Sequence, residues 1–153
     1  NKSVVDNLTE RLNIVENLST HGGLNNAVGV GKVFQRSSFL GFKGGETVDF
    51  LAEVEKMTSE DTLNALVEAK NRGATFGALS ETELEILKNA ASKINKWAVV
   101  KDEKVVGYKI SERLFKQELK KVEESTKKLL EDIRVSSAGS ADVLDDYLSQ
   151  FNL

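Results

Sequence analysis

The chain has 153 residues, of which 40% are hydrophobic and 29% charged, and its formal net charge is −3. This length fits one domain with a sizeable core, and the interleaved charges argue against a nucleic-acid partner, because proteins that bind nucleic acid usually carry a basic face. The lack of cysteine excludes disulfides and thiolate metal sites. No uncharged run approaches the ~20 residues of a membrane span. The lack of proline indicates a mostly helical chain.

The first predicted helix covers residues 3–19, where apolar residues recur at three- and four-residue steps. They form one stripe, made of Val4, Val5, Leu8, Leu12, Val15 and Leu18. We place four charged residues on the opposite, solvent-facing side: Asp6, Glu10, Arg11 and Glu16. His21-Gly22-Gly23 then ends the helix, and we expect His21 to lie near its last carbonyl groups rather than to bind a metal.

Residues 21–46 are predicted to form an irregular, glycine-rich strap over the core, since seven of the 11 glycines lie there. The run from Val28 to Lys32 lacks the first glycine and the final Ser or Thr of a phosphate-binding loop, so it does not favour nucleotide binding. The apolar residues expected to cover the core are Leu24, Val28, Val30, Val33, Phe34, Phe39, Leu40 and Phe42.

Three further helices are predicted over residues 46–57, 59–71 and 81–95, of which the first two form a pair or one bent helix. In the first, the inward residues are predicted to be Val48, Leu51, Ala52 and Val54. In the second they are Leu63, Leu66 and Val67, and Thr58 or Ser59 is the expected cap. In the third they are Leu84, Leu87, Ala91 and Ile94.

A corner precedes the last of these helices, and we predict that its role is structural. Gly73 follows a basic last turn and suits a positive φ, and Gly77 lies in the short loop that follows. Ser80 and Glu83 have the spacing of a capping box, in which each side chain bonds the other's amide. Glu81 and Glu83 are two residues apart in the first turn of the helix, so they point in different directions and do not form the facing pair of a glycosidase.

At residues 97–109 the pattern changes to two β-branched runs around a charged turn, which predicts at most one small β-hairpin packed through Trp97 and Val99. An ordinary loop between helices is the alternative. The longest helix follows at about 111–134, and its apolar face is predicted to contain Phe115, Leu119, Val122, Leu129 and Ile133. The predicted fold is therefore mainly α, a bundle of five or six helices over residues 1–135.

Residues 136–153 are predicted to be a linker and a short amphipathic C-terminal helix. Large apolar residues too numerous to leave in water recur in it: Val143, Leu144, Tyr147, Leu148 and Phe151. We expect this segment to dock onto a neighbouring copy or onto a partner protein.

The order of these features resembles a helical module of bacteriophage particle proteins. The matching pieces are His21-Gly22-Gly23-Leu24, Val28-Gly29, Gly44-Gly45 and the corner from Gly73 to Glu83, within residues 8–133. The hairpin at 97–109 and the lack of a proline near the strap's end depart from that pattern. The resemblance implies a helical bundle with a structural role in a virion protein, tail-associated or concerned with DNA ejection, and brings no catalytic residue with it.

We therefore expect a non-enzymatic structural or assembly segment of a larger phage protein, located in the virion or the host cytoplasm. A helical adaptor or regulatory domain that binds a partner protein is the alternative. The residue types present do not assemble a Ser/His/Asp set, a metal cluster or a facing carboxylate pair, so we expect no cofactor, metal or small-molecule substrate. Because the chain begins with Asn1, we expect it to be a processed product or a piece of something longer.

Overall fold

The computed structural model describes residues 2–34, 44–73 and 79–136. Within them the chain forms six helices and one two-stranded antiparallel sheet, which confirms the mainly α prediction. Their order is α1 (Lys2–Leu18), α2 (Leu24–Ala27), α3 (Gly44–Met57), α4 (Glu60–Asn71), α5 (Glu81–Lys96), β1 (Ala98–Lys101), β2 (Lys104–Tyr108) and α6 (Glu112–Ser136). None of the helices in these ranges is long and apolar enough to cross a membrane.

The long helix α6 is the centre of the bundle, since it packs along both α5 and α1. All five apolar residues predicted for its inner face are buried, and so are the six of α1. The same face of α6 also buries Glu118, Ser125, Thr126 and Leu130, which the sequence did not indicate. A helix buried against two neighbours needs a wide inner face, which explains why this one extends beyond a single apolar stripe.

Four aromatic rings form a chain through the core beside α6. His21 meets Phe50 edge-on at 5.6 Å, Phe50 lies 5.9 Å from Phe115, and Phe115 lies 5.3 Å from Tyr108. These separations are those of favourable tilted and edge-on ring pairs. Burial also raises the pKa of Tyr108 above its usual range. These ring contacts connect the end of α1, α3, the hairpin and α6, so they join segments that are far apart in sequence.

The buried face of α3 differs from the prediction. Leu51 and Val54 are buried as predicted, but Val48 is 43% exposed and Ala52 is exposed, and the sequence did not indicate the buried Phe50 and Met57. The helix therefore presents to the core a face rotated from the predicted one. In α4, Leu63 and Leu66 are buried as predicted, and Val67 is half-buried. The predicted boundaries of these helices are within two residues of the observed ones.

The hairpin at 97–109 is confirmed, but its contact with the core is not the one predicted. Trp97 and Val99 are only half-buried, while Val106 and Tyr108 are buried. The reason is a bulge: strand pairing steps from Val99 opposite Gly107 to Val100 opposite Val105, which leaves Val106 as an extra residue. A bulge re-aims side chains in this way. The turn places Asp102 and Glu103 at positive φ, as two-residue hairpin turns require.

The described part of the strap covers the hairpin as well as the helices. Val28 forms a parallel bridge with Tyr108, and the Phe34 ring lies directly against Gly107, where a Cβ atom would collide with it. Leu24, Val28 and Phe34 are buried as predicted. The prediction is wrong for Val30 and Val33, which are 60% and 77% exposed. Phe39, Leu40 and Phe42 lie outside the described residues.

Candidate functional site

A groove with a volume of about 520 Å³ runs between α5 and α6 on the face of the bundle, and we call it the α5–α6 groove. Because Lys93 near the end of α5 lies 4.0 Å from Glu118 near the start of α6, the two helices are antiparallel. Ile86, at 36% exposure, is an apolar residue open to solvent here. The lining consists of Glu83, Ile86, Asn89, Ala90 and Lys93 from α5, with Glu118, Lys121, Glu124, Ser125 and Lys128 from α6.

Glu118 lies at one end of this groove as a buried carboxylate, its side chain only 7% exposed. Lys121 Nζ donates to its Oε2 at 3.0 Å. Its Oε1 is buried without a hydrogen-bond partner in the described part of the chain, since Lys93 Nζ stops at 4.0 Å. A buried carboxylate oxygen without a donor is costly, so this atom marks a place where a further donor would be stabilising.

Charges of both signs alternate along the groove, and the two ends differ in sign. Lys93 and Lys121 outnumber Glu118 at one end, whereas Glu83 and Glu124 outnumber Lys128 at the other. The three lysine side chains are between 49% and 57% exposed. Exposed ion pairs hold their partners weakly, so these lysines can exchange partners when another surface approaches.

The predicted corner leads into one end of the groove. Gly73 has a φ of +71°, as expected, and the Glu83 amide donates to Ser80 Oγ at 3.3 Å. This confirms Ser80 as the cap of α5. The hydrogen bonds of the described residues do not include the reciprocal capping-box bond from the Ser80 amide to the Glu83 carboxylate, which lines the groove instead. Leu79 in this corner is buried, and Gly77 lies outside the described residues.

Arg11 is the second buried charge, and the prediction that it faces solvent is wrong, since it is 3% exposed. Its guanidinium donates to Met57 O at 3.1 Å, to Asn7 Oδ1 at 2.7 Å and to Thr62 Oγ1 at 2.7 Å. All three acceptors are uncharged, and burial lowers the pKa of Arg11 to about 10. Met57 ends α3, where the helix dipole favours a positive charge. The Arg11 cluster therefore joins α1 to the turn between α3 and α4.

The other candidate groups have local, structural contacts. The amide of His21 donates to Leu18 O at 3.2 Å and its Nδ1 accepts from the Gly23 amide at 2.9 Å, so it lies at the end of α1 as predicted. In the ranges that the structure describes, no three His, Asp or Glu side chains are grouped to hold a metal ion. The C-terminal residues Val143, Leu144, Tyr147, Leu148 and Phe151 lie outside these ranges.

Comparisons of the chain with protein-family models, with curated proteins and with solved structures give no match.

Proposed function

We propose that this chain is a non-enzymatic helical module that acts by binding protein, as a structural or assembly segment of a larger phage particle protein. The observation that supports protein binding is the α5–α6 groove, which combines an exposed apolar residue, alternating charges and a buried carboxylate oxygen without a donor. The phage assignment is supported by the resemblance of the turns and caps between residues 8 and 133.

The groove suits a helix better than a small molecule. It is open along its length and is lined by side chains from the two antiparallel helices α5 and α6. An amphipathic helix laid into it would place apolar residues against Ile86 and Ala90 and donors near Glu118. Small-molecule sites are more enclosed and mostly apolar, with few charged groups.

A helical adaptor that binds one cellular protein is the second candidate, because the same groove would serve it. The two differ in genetic context and in stoichiometry. A virion segment should come from a long reading frame flanked by other particle genes. An adaptor should instead form a one-to-one complex with a single cellular protein.

The C-terminal segment supplies a second proposed contact surface. Val143, Leu144, Tyr147, Leu148 and Phe151 combine with Asp142, Asp145 and Asp146 in one short stretch. We propose that this segment binds a neighbouring copy or a partner protein.

The test of the groove compares the full chain with Ile86→Lys and with Val48→Lys as a matched control. The two β-branched side chains are similarly exposed, Ile86 at 36% and Val48 at 43%, but Val48 lies on α3 outside the groove. Particle proteins from the neighbouring genes should bind the wild-type chain and Val48→Lys at defined stoichiometry, and should lose affinity for Ile86→Lys. Equal binding by both variants would exclude the groove as the binding surface.

A further inference from the structure

The α5–α6 groove is complementary in charge to a second copy of itself. Four of its six ionic residues occur in pairs of opposite sign with equal spacing: Glu83 and Lys93 are ten residues apart on α5, and Glu118 and Lys128 are ten apart on α6. Ten helical residues span about 15 Å, so the two pairs have the same length. A single two-fold axis across the groove, level with residues 88 and 123, exchanges the members of both pairs.

We propose that two copies of the chain associate face to face through this groove about that two-fold axis. This inference rests on the proposed protein-binding function and names its partner. In such a dimer α5 lies antiparallel on α5 of the second copy, and α6 lies antiparallel on α6. Contacts of this type are self-complementary, so each favourable pair occurs twice.

The pairing along α5 joins an acid to a base and a large residue to a small one. Glu83 comes opposite Lys93 of the second copy, and Ile86 comes opposite Ala90. The Ile86 side chain, 36% exposed, is thereby covered, and Ala90, 1% exposed, offers no side chain beyond its methyl group to obstruct it. A protruding residue over a small one is how helices interdigitate.

The pairing along α6 supplies what Glu118 lacks. Lys128 of the second copy comes opposite Glu118. Its ammonium group can donate to the buried Oε1 when the Lys93 side chain, whose Nζ lies 4.0 Å from that oxygen, turns to pair with Glu83 of the second copy. Lys121 comes opposite Glu124 and Ser125 of the second copy. Lys128 leaves an exposed i,i+4 pair with Asp132 at 3.2 Å, which costs little because such pairs are weak.

The size of the face predicts a weak, concentration-dependent dimer. About three turns of two helices contribute from each copy, which places the interface at the low end of specific protein–protein interfaces. The dimer is therefore expected to form in the micromolar range or above, rather than to be permanent. Its dependence on salt should be strong, since the partly exposed ion pairs are screened.

The first experiment measures self-association of the full chain by sedimentation equilibrium. Glu83→Lys places lysine opposite lysine, Lys93→Glu places glutamate opposite glutamate, and each should raise the dimer dissociation constant about tenfold or more. A mixture of the two variants restores both attractive pairs and should associate at least as well as the wild type. A mixture that stays as dissociated as its components contradicts the proposed register, and a wild-type chain that is monomeric up to millimolar concentration overturns the dimer.

The second experiment uses the absence of cysteine from the sequence. Asn89→Cys lies in the groove next to the two-fold axis and should form an intermolecular disulfide on mild oxidation. Lys88→Cys is the matched control, because it is at the same level but turned about 100° around α5, away from the groove. Equal cross-linking of the two variants overturns the inference. If the chain is monomeric yet Ile86→Lys still abolishes binding of another protein, the proposed function stands and this inference alone fails.

Discussion

The two buried charges in the described part of the chain, Arg11 and Glu118, differ in how completely their neighbours satisfy them. Arg11 gives hydrogen bonds from all three guanidinium nitrogens to acceptors on α1, α4 and the end of α3. Glu118 has one oxygen bonded by Lys121 and one without a donor in the described part of the chain. Both are about equally buried, at 3% and 5% exposure.

This difference separates a structural contact from the binding surface that we propose. A buried charge whose partners all belong to the same domain stabilises one arrangement of helices, and it has no unused donor or acceptor for a second protein. A buried charge with an unused acceptor in an open groove gains from an external donor. Three substitutions and one deletion should affect stability to decreasing extents.

Arg11→Met should lower the free energy of unfolding by about 2 kcal/mol, because it leaves Met57 O and the side chains of Asn7 and Thr62 without their donor. Urea denaturation followed by circular dichroism measures this. Arg113→Met, an exposed arginine on α6, is the control and should stay within ~0.5 kcal/mol of the wild type. Self-association should be unchanged. A variant as stable as the control would show that the Arg11 cluster contributes no net stability.

Ser80→Ala should cost about 1 kcal/mol, the usual effect of losing an N-cap, since the Glu83 amide loses its 3.3 Å bond to Ser80 Oγ. Because Glu83 directs its carboxylate to the groove and not to the Ser80 amide, self-association of the folded variant should not change. The denaturant midpoints of the wild type and of Ser80→Ala measure the change in stability. An unchanged midpoint would mean that Ser80 does not act as the cap.

Glu118→Gln should change stability by only about 0.5 kcal/mol, because the lysines it pairs with are about half exposed. The effect should appear in self-association, which weakens when the carboxylate can no longer receive a lysine of the second copy. Comparing urea midpoints with sedimentation equilibrium separates the two. A large loss of stability with unchanged association would place Glu118 in the same structural class as Arg11.

The helices and their ends were predictable because their signals are local. Ser80 and Glu83, the glycine at residue 73 and the apolar spacing of α1 and α6 each lie within a few residues of the feature they determine. The two buried charges have the same spacing as the stripes: Arg11 falls three residues after Leu8 and four before Val15, and Glu118 three after Phe115 and four before Val122. That spacing is a usable signal of burial, although the charge of Arg11 led us to expect it on the solvent-facing side.

What the sequence did not reveal depends on contacts between distant segments. Arg11 is satisfied by Met57 and Thr62, about 50 residues away, and no local pattern indicates those acceptors. The bulge at Val106 depends on the register of the two strands, and a one-residue shift exchanges the faces of a strand. The groove likewise arises from the register between α5 and α6, which only the packed bundle defines.

Deleting residues 138–153 should have the smallest effect on stability, because the linker predicted at residues 136–140 separates this segment from α6. The midpoint of thermal unfolding should stay within the error of the measurement. Self-association should weaken but persist, since the segment's apolar residues supply one contact and the α5–α6 groove another. Light scattering on the full and shortened chains, each with and without Ile86→Lys, separates the two surfaces. If the deletion alone abolishes association, the C-terminal segment is the interface and the groove dimer is wrong. If the deletion changes nothing, the segment does not take part in self-association, and its proposed partner must be a different protein.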